Sequence, residues 1–327
     1  MMKRVASLVP DPFVAAILAT VVLATLLPVH GGGARVVGLV SSAMVTMLFF
    51  VHGAKLSRSA AFAGLRHWRL HLAILGATFL LFPLLTLALT ALLPKTLLAK
   101  PLIIGLLYLS VLPSTVQSAI AFVSLARGNV AAAIASASAS QMLGVLVTPL
   151  LVGFTIGRSA HADGTAAGAI VLQILLPFIL GNLLEPWIGG FIRRHKTAGT
   201  LLDRGTIMLA VYSAFSAAVI GGLWRRVDEG ALMVVLAICL LLLGLMLLTT
   251  ALLGRAMGLA RPDAIALQFC GTKKSLVQGV PMARLIFPGP DLGLILLPLM
   301  IFHQVQLMAC AGLARRYAAR GDRDVHG

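Results

Sequence analysis

The amino-acid sequence predicts an all-α polytopic membrane protein, with ten transmembrane helices arranged in two inverted five-helix repeats. Of its 327 residues, 59% are hydrophobic and only 11% are charged, whereas soluble domains carry about 25% charged residues. The hydrophobic residues form ten runs, each close to the roughly 20 residues that cross a bilayer as a helix. Two of these runs, the fourth in each half of the chain, are interrupted by proline or glycine.

The ten predicted spans follow one another from end to end, so residues 1–327 are treated as one membrane unit. Their approximate edges are 12–28, 36–54, 71–93, 101–126, 130–156, 167–190, 205–223, 231–253, 263–287 and 292–313. Five spans per half is an odd number, so the second half is predicted to run inverted relative to the first. The connections are short, and the three glycines at 31–33 are predicted to form the first of them.

Lysine and arginine are distributed unequally between the two predicted sides. With the N-terminus inside, 17 of the 26 basic residues lie on the inner side and 7 on the outer side, and Lys273 and Lys274 lie within a span. Cytoplasmic loops carry the excess of basic residues, so both termini are predicted to be cytoplasmic and the location to be the cell inner membrane. The net charge of +16 therefore indicates membrane topology and contact with lipid, and it does not indicate nucleic-acid binding.

The sequence gives no indication of an enzyme. It has no Gly-x-Ser-x-Gly, no His-Glu-x-x-His and no phosphate-binding glycine loop. Its three cysteines are scattered through apolar runs, which is not the pattern of a disulfide framework or a metal site. We therefore expect no resident cofactor, and consider only Na⁺ or H⁺ as a coupling ion.

Two adjacent lysines lie at the centre of the ninth run. Lys273 and Lys274 are the middle of the otherwise apolar residues 264–287. A lysine at the centre of a spanning helix costs at least about 2.5–3.5 kcal/mol and so indicates a functional site. Gly271 before the pair and Pro281 after it predict a broken helix, whose freed backbone groups must lie inside protein or beside a water-filled cavity.

A cytoplasmic loop is the alternative location for the two lysines. Only residues 275–287 would then lie in the membrane, and a segment of that length that includes Gln278 and Arg284 is too short and too polar to span. In the broken helix the lysines have no carboxylate partner, because all ten acidic residues fall in loops or at span ends. Buried charges need partners, so either a bound anion pairs with a lysine or a lysine gives up its proton.

The fourth run has an interruption that matches the one in the ninth. Residues 112–118 align with residues 269–275 at an offset of 157, which matches Thr115 with Thr272 and Ser118 with Ser275. Corresponding interrupted helices in inverted halves are the best sequence indication of a transporter binding site. The predicted crossover and substrate site consists of Pro113, Ser114, Thr115, Gln117 and Ser118 with Gly271, Thr272, Lys273, Lys274 and Ser275.

Polar side chains in three spans extend this predicted site. His303 and Gln306 are three residues apart and share a face of the tenth span, so we expect both to contact substrate. Ser136 and Ser140 of the fifth span, with Gln268 of the ninth, are assigned to the crossover or an ion site. Small-residue helix packing is the alternative for the serines. An interhelical hydrogen bond is the alternative for His303, which has no cysteine or carboxylate nearby to complete a metal site.

These motifs resemble those of the bile acid:sodium symporter family over nearly the whole chain. The matching segments are Leu112-Pro113-Ser114-Thr115 and Leu125-Ala126-Arg127-Gly128-Asn129-Val130, while Asp11-Pro12-Phe13 and Phe269-Cys270-Gly271-Thr272-Lys273-Lys274-Ser275 point to its "member seven-like" branch. The resemblance implies ten helices in two inverted repeats, with the fourth and ninth broken and crossing. It also implies a panel domain with spans at 12–54 and 167–223, a core domain with spans at 71–156 and 231–313, and substrate between them.

The chain differs from the bile-acid-transporting members at the sodium-binding positions that the resemblance implies. Those members carry a glutamate and a glutamine in the ninth helix, where this chain has Phe269 and Lys273. A site with no carboxylate and a lysine beside it would bind a cation poorly. A weak sodium site formed by Ser118, Ser136 and Ser140 is the alternative.

The function expected from the sequence is secondary active transport of a small organic anion across the inner membrane by alternating access. The alternative is a non-transporting membrane regulator or scaffold that retains the fold. Our hypothesis for coupling is that Lys273 or Lys274 supplies the positive charge that sodium supplies in the better-known members. Transport would then be coupled to protons or to no cation. In the alternative, sodium binds backbone carbonyls and hydroxyls at the break, and the lysines point to a cytoplasmic cavity.

Overall fold

The computed structural model describes residues 12–55, 67–94, 96–157, 171–222, 225 and 228–326. In these residues the regular structure is helical, and strands are absent from them. The predicted cytoplasmic N-terminus, with Asp11 of the first motif, and the start of the span predicted at 167–190 lie outside the described residues.

The helices are numbered here in chain order. They are α1 Pro12–Leu26, α2 Gly31–Lys55, α3 Trp68–Leu92 with a π-helical turn at Ala77–Leu81, α4 Lys100–Val111, α5 Gln117–Leu125, α6 Val130–Thr155, α7 Leu176–Arg194 preceded by a π-helical turn at Val171–Leu175, α8 Lys196–Ile220, α9 Glu229–Ala256, α10 Arg261–Thr272, α11 Leu276–Ile286 and α12 Leu292–His326. Several helix boundaries differ from the predicted span edges: α8 begins at Lys196, not near residue 205, and α12 continues to His326, not to residue 313. The glycines at 31–33 begin α2 instead of forming a loop, because the N–H groups of a first helical turn need no partner within the helix.

The predicted membrane class is confirmed by helix length and by the surface of the described residues. Six helices are long and apolar enough to cross a membrane, and α4 and most of α1 are shorter apolar helices. Large apolar side chains cover the outside, with Leu92 82% exposed and Phe154 85% exposed. A water-soluble protein rarely exposes so much apolar surface, so this chain is a multi-pass membrane protein.

The fourth predicted span is broken at Pro113. α4 ends at Val111, Leu112 has the extended angles φ −72° and ψ 152°, and α5 begins only at Gln117. Proline has no N–H to continue a helix, and it also disfavours helical angles in the residue before it. These two effects account for the break.

The ninth predicted span is broken at the two lysines. α10 ends at Thr272, and Lys273 is extended with φ −87° and ψ 148°. Ser275 then caps α11, because its Oγ accepts a hydrogen bond from the N–H of Gln278 at 3.3 Å. Lys273 and Lys274 are both completely buried, which favours the broken helix over the loop interpretation.

Two sets of helices pack together. In the first set, α2 packs closely on α7 and α1 packs on α8. In the second set, α12 packs on α4 and α9, and α10 packs on α9, α3 and α6. Between the sets, α8 contacts α11 and α12. The second half of the ninth span, α11, therefore packs against α8.

Two glycines allow the close approach of α2 and α7. A Cβ atom at Gly181 would overlap the carbonyl oxygen of Phe50, and one at Gly53 would overlap that of Phe178. Small residues of this kind let helix backbones pack closely in membranes.

We expect Gly181→Ala to lower the free energy of unfolding by about 1–3 kcal/mol, since the two backbones must move apart. The measurement is thermal unfolding of the purified protein in detergent. Gly190→Ala on the same helix is the control, because its Cβ position has no atom within 4 Å apart from its own stretch of helix backbone. Equal stability of the two variants would contradict the packing argument.

Candidate functional site

The two helix breaks contact each other directly. The N–H of Ser275 donates to the carbonyl of Pro113 at 2.8 Å, and the hydroxyl of Ser114 donates to the carbonyl of Cys270 at 2.6 Å. The N–H of Ser114 in turn donates to Ser140 Oγ at 3.0 Å. Backbone groups freed by each break are thus hydrogen-bonded to the other break or to α6.

Lys274 places its ammonium group in a cage of backbone carbonyls. Its Nζ donates to the carbonyls of Thr78 at 2.7 Å, Ser110 at 2.5 Å and Leu112 at 2.8 Å. The Phe82 ring lies on another side, with its centre 4.3 Å from Nζ, a distance at which a cation is attracted to a ring face. All three N–H bonds of the ammonium group therefore have an acceptor.

The three carbonyls are available because a proline removes the helical donor of one and the other two lie where α4 ends. In the π-helical turn of α3 the N–H of Phe82 donates to the carbonyl of Ala77. The carbonyl of Thr78 would next accept from Pro83, which has no N–H. At the end of α4 the carbonyls of Ser110 and Leu112 lack helical partners, because the helix ends at Val111 and the N–H of Ser114, four residues after Ser110, donates to Ser140 instead. The negative end of that helix dipole also favours a cation.

Lys273 is buried in a different environment, without a hydrogen-bond acceptor among the described residues. Its Nζ lies 4.2 Å from the centre of the Phe122 ring, and the cluster around that ring is apolar, with Cys270 and Val123 among its buried members. Adjacent residues in extended backbone point to opposite sides. The ammonium group of Lys274 therefore has a hydrogen-bond acceptor for each of its N–H groups, whereas that of Lys273 has none among the described residues.

Gln306 supports the backbone of the break. Its Oε1 accepts from the N–H of Lys274 at 2.9 Å, and its Nε2 donates to the carbonyl of Lys274 at 3.0 Å. The same Nε2 is 2.9 Å from Nδ1 of His303. The predicted shared face of these two residues is present, and Gln306 lies behind the break, where it is completely buried.

The hydroxyls of the predicted sodium site have separate partners. Ser118 Oγ is 2.9 Å from Thr115 Oγ1, Ser136 Oγ is 2.5 Å from His71 Nδ1, and Ser140 accepts from the backbone of the fourth span. Gln268 also lies elsewhere, with Nε2 donating to the carbonyl of Leu247 at 2.9 Å and Oε1 accepting from Tyr317 at 2.6 Å. In the part of the chain that the structure describes, no three His, Cys, Asp or Glu residues are placed to hold a metal ion.

A cavity of about 300 Å³ lies between the breaks and the helices α1, α2, α7 and α8. Five of the predicted site residues line it, namely Thr115, Gln117, Ser118, Ser275 and His303. Gly271, Thr272, Lys273, Lys274 and Gln306 are buried behind the crossing instead. The first turns of α5 and α11 face the cavity, and their N–H groups give it a positive potential.

The opposite wall of this cavity was not predicted from the sequence. That wall includes His52 and Lys55 from the end of α2 and Asp203 and Arg204 from α8. His52 Nε2 lies 3.1 Å from Asp203 Oδ1, and Lys55 Nζ lies 3.9 Å from Asp203 Oδ2. One feature of the sequence did point to this wall. Lys55 and Asp203 lie at the ends of two predicted spans on the same side of the membrane, where the packing of the two spans can bring them together as an ion pair.

Two broken helices that cross beside a cavity, within a multi-pass bundle, define the architecture of a membrane transporter. Comparison with known proteins also identifies a membrane transporter. The model of the SBF-like CPA transporter family matches residues 11–319, and the chain belongs to this family, which is of the bile acid:sodium symporter type. It is therefore a transporter and not an enzyme.

Individual relatives span almost the whole chain. The uncharacterized protein PA2026 of Pseudomonas aeruginosa is 50% identical over 96% of this chain and 94% of its own length. YfeH of Escherichia coli is 45% identical over 94% of this chain and 92% of its own length. Sodium/bile acid cotransporter 7 of Rattus norvegicus is 30% identical over 86% of this chain and 83% of its own length.

Proposed function

We propose that the protein is a secondary transporter that moves a small organic anion across the inner membrane by alternating access. The observation that supports this most directly is the charge of the cavity wall. It carries Lys55 and Arg204 against Asp203, and two helix N-termini add positive potential. An organic anion would neutralise this excess of positive charge. The name of the rat relative, sodium/bile acid cotransporter 7, supports an amphipathic acid as the class of substrate.

The arrangement of helices supports the proposed ten-span, inverted-repeat topology. α4 with α5, and α10 with α11, each count as one broken span, and each is then the fourth span of its half. The closely packed pairs α1–α8 and α2–α7 fit a panel domain, and the remaining helices fit a core domain. Alternating access would move one set against the other around the cavity, with both termini on the cytoplasmic side as the basic residues predict.

We further propose that Lys274 takes the place of a coupling sodium ion. Its ammonium group holds the carbonyls of Thr78, Ser110 and Leu112 together, as a bound cation with oxygen ligands would. A covalently attached cation cannot leave with the substrate, so transport would not be driven by sodium. H⁺, exchanged at Lys273, is then the candidate coupling ion.

The proposed function is tested by uptake into liposomes. Purified protein is reconstituted and offered a library of radiolabelled organic acids, under a proton gradient, a sodium gradient or none. We expect at least one acid to accumulate above protein-free liposomes, because the cavity wall carries the cations Lys55 and Arg204 beside the polar groups of the breaks. Movement of no acid under any gradient would favour the regulator or scaffold.

Replacement of sodium by choline is expected to leave the uptake rate of the transported acid unchanged within about twofold. The reason is that the cage that a sodium ion would need is already filled by the Lys274 ammonium group, at 2.5–2.8 Å from three carbonyls. Rates are compared at equal ionic strength in sodium, potassium and choline buffers. A strict requirement for sodium would reject the proposed role of Lys274.

A further inference from the structure

The end of the cavity away from the breaks is charged, whereas the break end is not. α2 contributes His52 and Lys55 and α8 contributes Asp203 and Arg204, while the break contributes hydroxyls and amides, including Thr115, Gln117 and Ser275. Lys55 and Arg204 are the cations among the lining residues, and Asp203 is the carboxylate among them. The wall thus holds two cations and one carboxylate.

The pairing of that carboxylate is uneven. His52 Nε2 lies 3.1 Å from Oδ1 of Asp203, but Lys55 Nζ lies 3.9 Å from Oδ2, at the limit of an ion pair. Arg204 contacts the Phe13 ring, with its guanidinium carbon 5.2 Å from the ring centre. The side chain of Asp203 is only 10% exposed and that of Lys55 is 32% exposed. Lys55 can therefore exchange Asp203 for another anion that enters the cavity.

We infer that Lys55 and Arg204 form the subsite for the acid group of the substrate, and that Asp203 competes with that group for Lys55. This inference rests on the proposed function, since it assigns the two ends of the transported anion. The ligand class is an organic monoanion with a carboxylate or sulfonate at the α2–α8 end. Uncharged polar groups of the ligand would face the hydroxyls and amides of the breaks.

Charge and geometry both favour a ligand whose acid group lies at Lys55 and Arg204 over one whose acid group lies at the breaks. Full charges attract an anion more strongly than the partial charges of helix N-termini, and arginine can donate two parallel hydrogen bonds to a carboxylate. One monoanion would neutralise the wall, because two cations and one carboxylate leave a single positive charge when histidine is neutral. A dianion would leave an excess negative charge in the cavity.

The experiment compares acids with their uncharged amides. The probes are straight-chain and 2-hydroxy carboxylic acids of four to eight carbons, each with its primary amide. Affinity is measured by thermal stabilisation of the detergent-purified full chain, and the best acid is also tested for uptake into liposomes. The variants are Lys55→Gln, Arg204→Gln and Asp203→Asn, with Arg255→Gln at the exposed end of α9 as the matched control outside the cavity.

We expect wild-type protein to bind the acid and not the amide. Lys55→Gln and Arg204→Gln should each weaken acid binding about tenfold or more, because each removes a charge-assisted hydrogen bond. Asp203→Asn should tighten acid binding about fivefold, since the competing carboxylate is gone. Arg255→Gln should bind like wild type.

Three results would overturn the inference in distinguishable ways. If the wild type binds an acid but neither basic variant weakens it, the acid group lies elsewhere, while anion transport stands. An equal loss for acid and amide would show that the wall recognises shape and not charge. If the wild type neither binds nor transports any acid in preference to its amide, anion transport itself fails and the subsite fails with it.

Discussion

Lys274→Ala is expected to lose about 3–5 kcal/mol of unfolding free energy and to abolish transport. The side chain donates to the carbonyls of Thr78, Ser110 and Leu112, and all of these groups are inside the bundle. Each buried carbonyl that loses its donor costs about 1–3 kcal/mol, and the cavity left by the truncated side chain adds to this. Thermal unfolding in detergent and uptake into liposomes are the two measurements.

Chemical rescue separates the charge of Lys274 from its size. Replacing lysine by alanine removes three carbons and the amine, which is the volume of n-propylammonium. We expect this cation to restore part of the lost stability of Lys274→Ala, and tetramethylammonium not to do so, because it has no N–H to donate. Stabilisation of the variant by sodium, with none in wild type, would show that the ammonium group occupies a sodium-like site. Wild-type stability and transport in Lys274→Ala would contradict the cage.

The two breaks could be predicted because their causes are local. Pro113 removes a helical N–H and restricts the residue before it, whatever the neighbouring helices do. The lysines had to be buried in a broken helix because residues 275–287 cannot span alone. Both causes lie in the chain close to the break, so the sequence alone is sufficient to predict the breaks.

The direction of each lysine could not be predicted from the sequence. Lys273 and Lys274 are adjacent in extended backbone, which turns them to opposite sides, but the choice of side depends on what packs there. The acceptor from Thr78 is 196 residues from Lys274 and is available only because α3 forms a π-helical turn before Pro83. Nothing in the sequence near the lysines indicates that turn.

The charged wall of the cavity was missed for a related reason. His52 and Asp203 are 151 residues apart, and their contact depends on how α2 packs against α8. From the sequence, Lys55 and Arg204 were counted only as basic residues on the inner side of the membrane. The hydroxyls of Ser118, Ser136 and Ser140 illustrate the opposite case. Helical spacing placed them near the crossing, but each found a different partner.

Lys273→Met is expected to raise the free energy of unfolding by about 1–3 kcal/mol, the opposite sign to Lys274→Ala. Lys273 Nζ is buried without an acceptor among the described residues, and its contact with the Phe122 ring at 4.2 Å offsets only part of the cost of removing its charge from water. Methionine has a similar shape and needs no hydrogen bond.

Comparison with Lys273→Arg tests whether the buried ammonium group of Lys273, which lowers stability, is needed for proton-coupled transport. Arginine retains the charge but does not release its proton. If Lys273 exchanges the coupling proton, both Lys273→Met and Lys273→Arg should lose the response of uptake to a proton gradient, although only the methionine variant gains stability. The measurements are thermal unfolding in detergent and liposome uptake with and without a pH difference. A destabilised Lys273→Met would show that the ammonium group has a structural partner. A stabilised variant that still responds to the proton gradient would move the coupling site elsewhere.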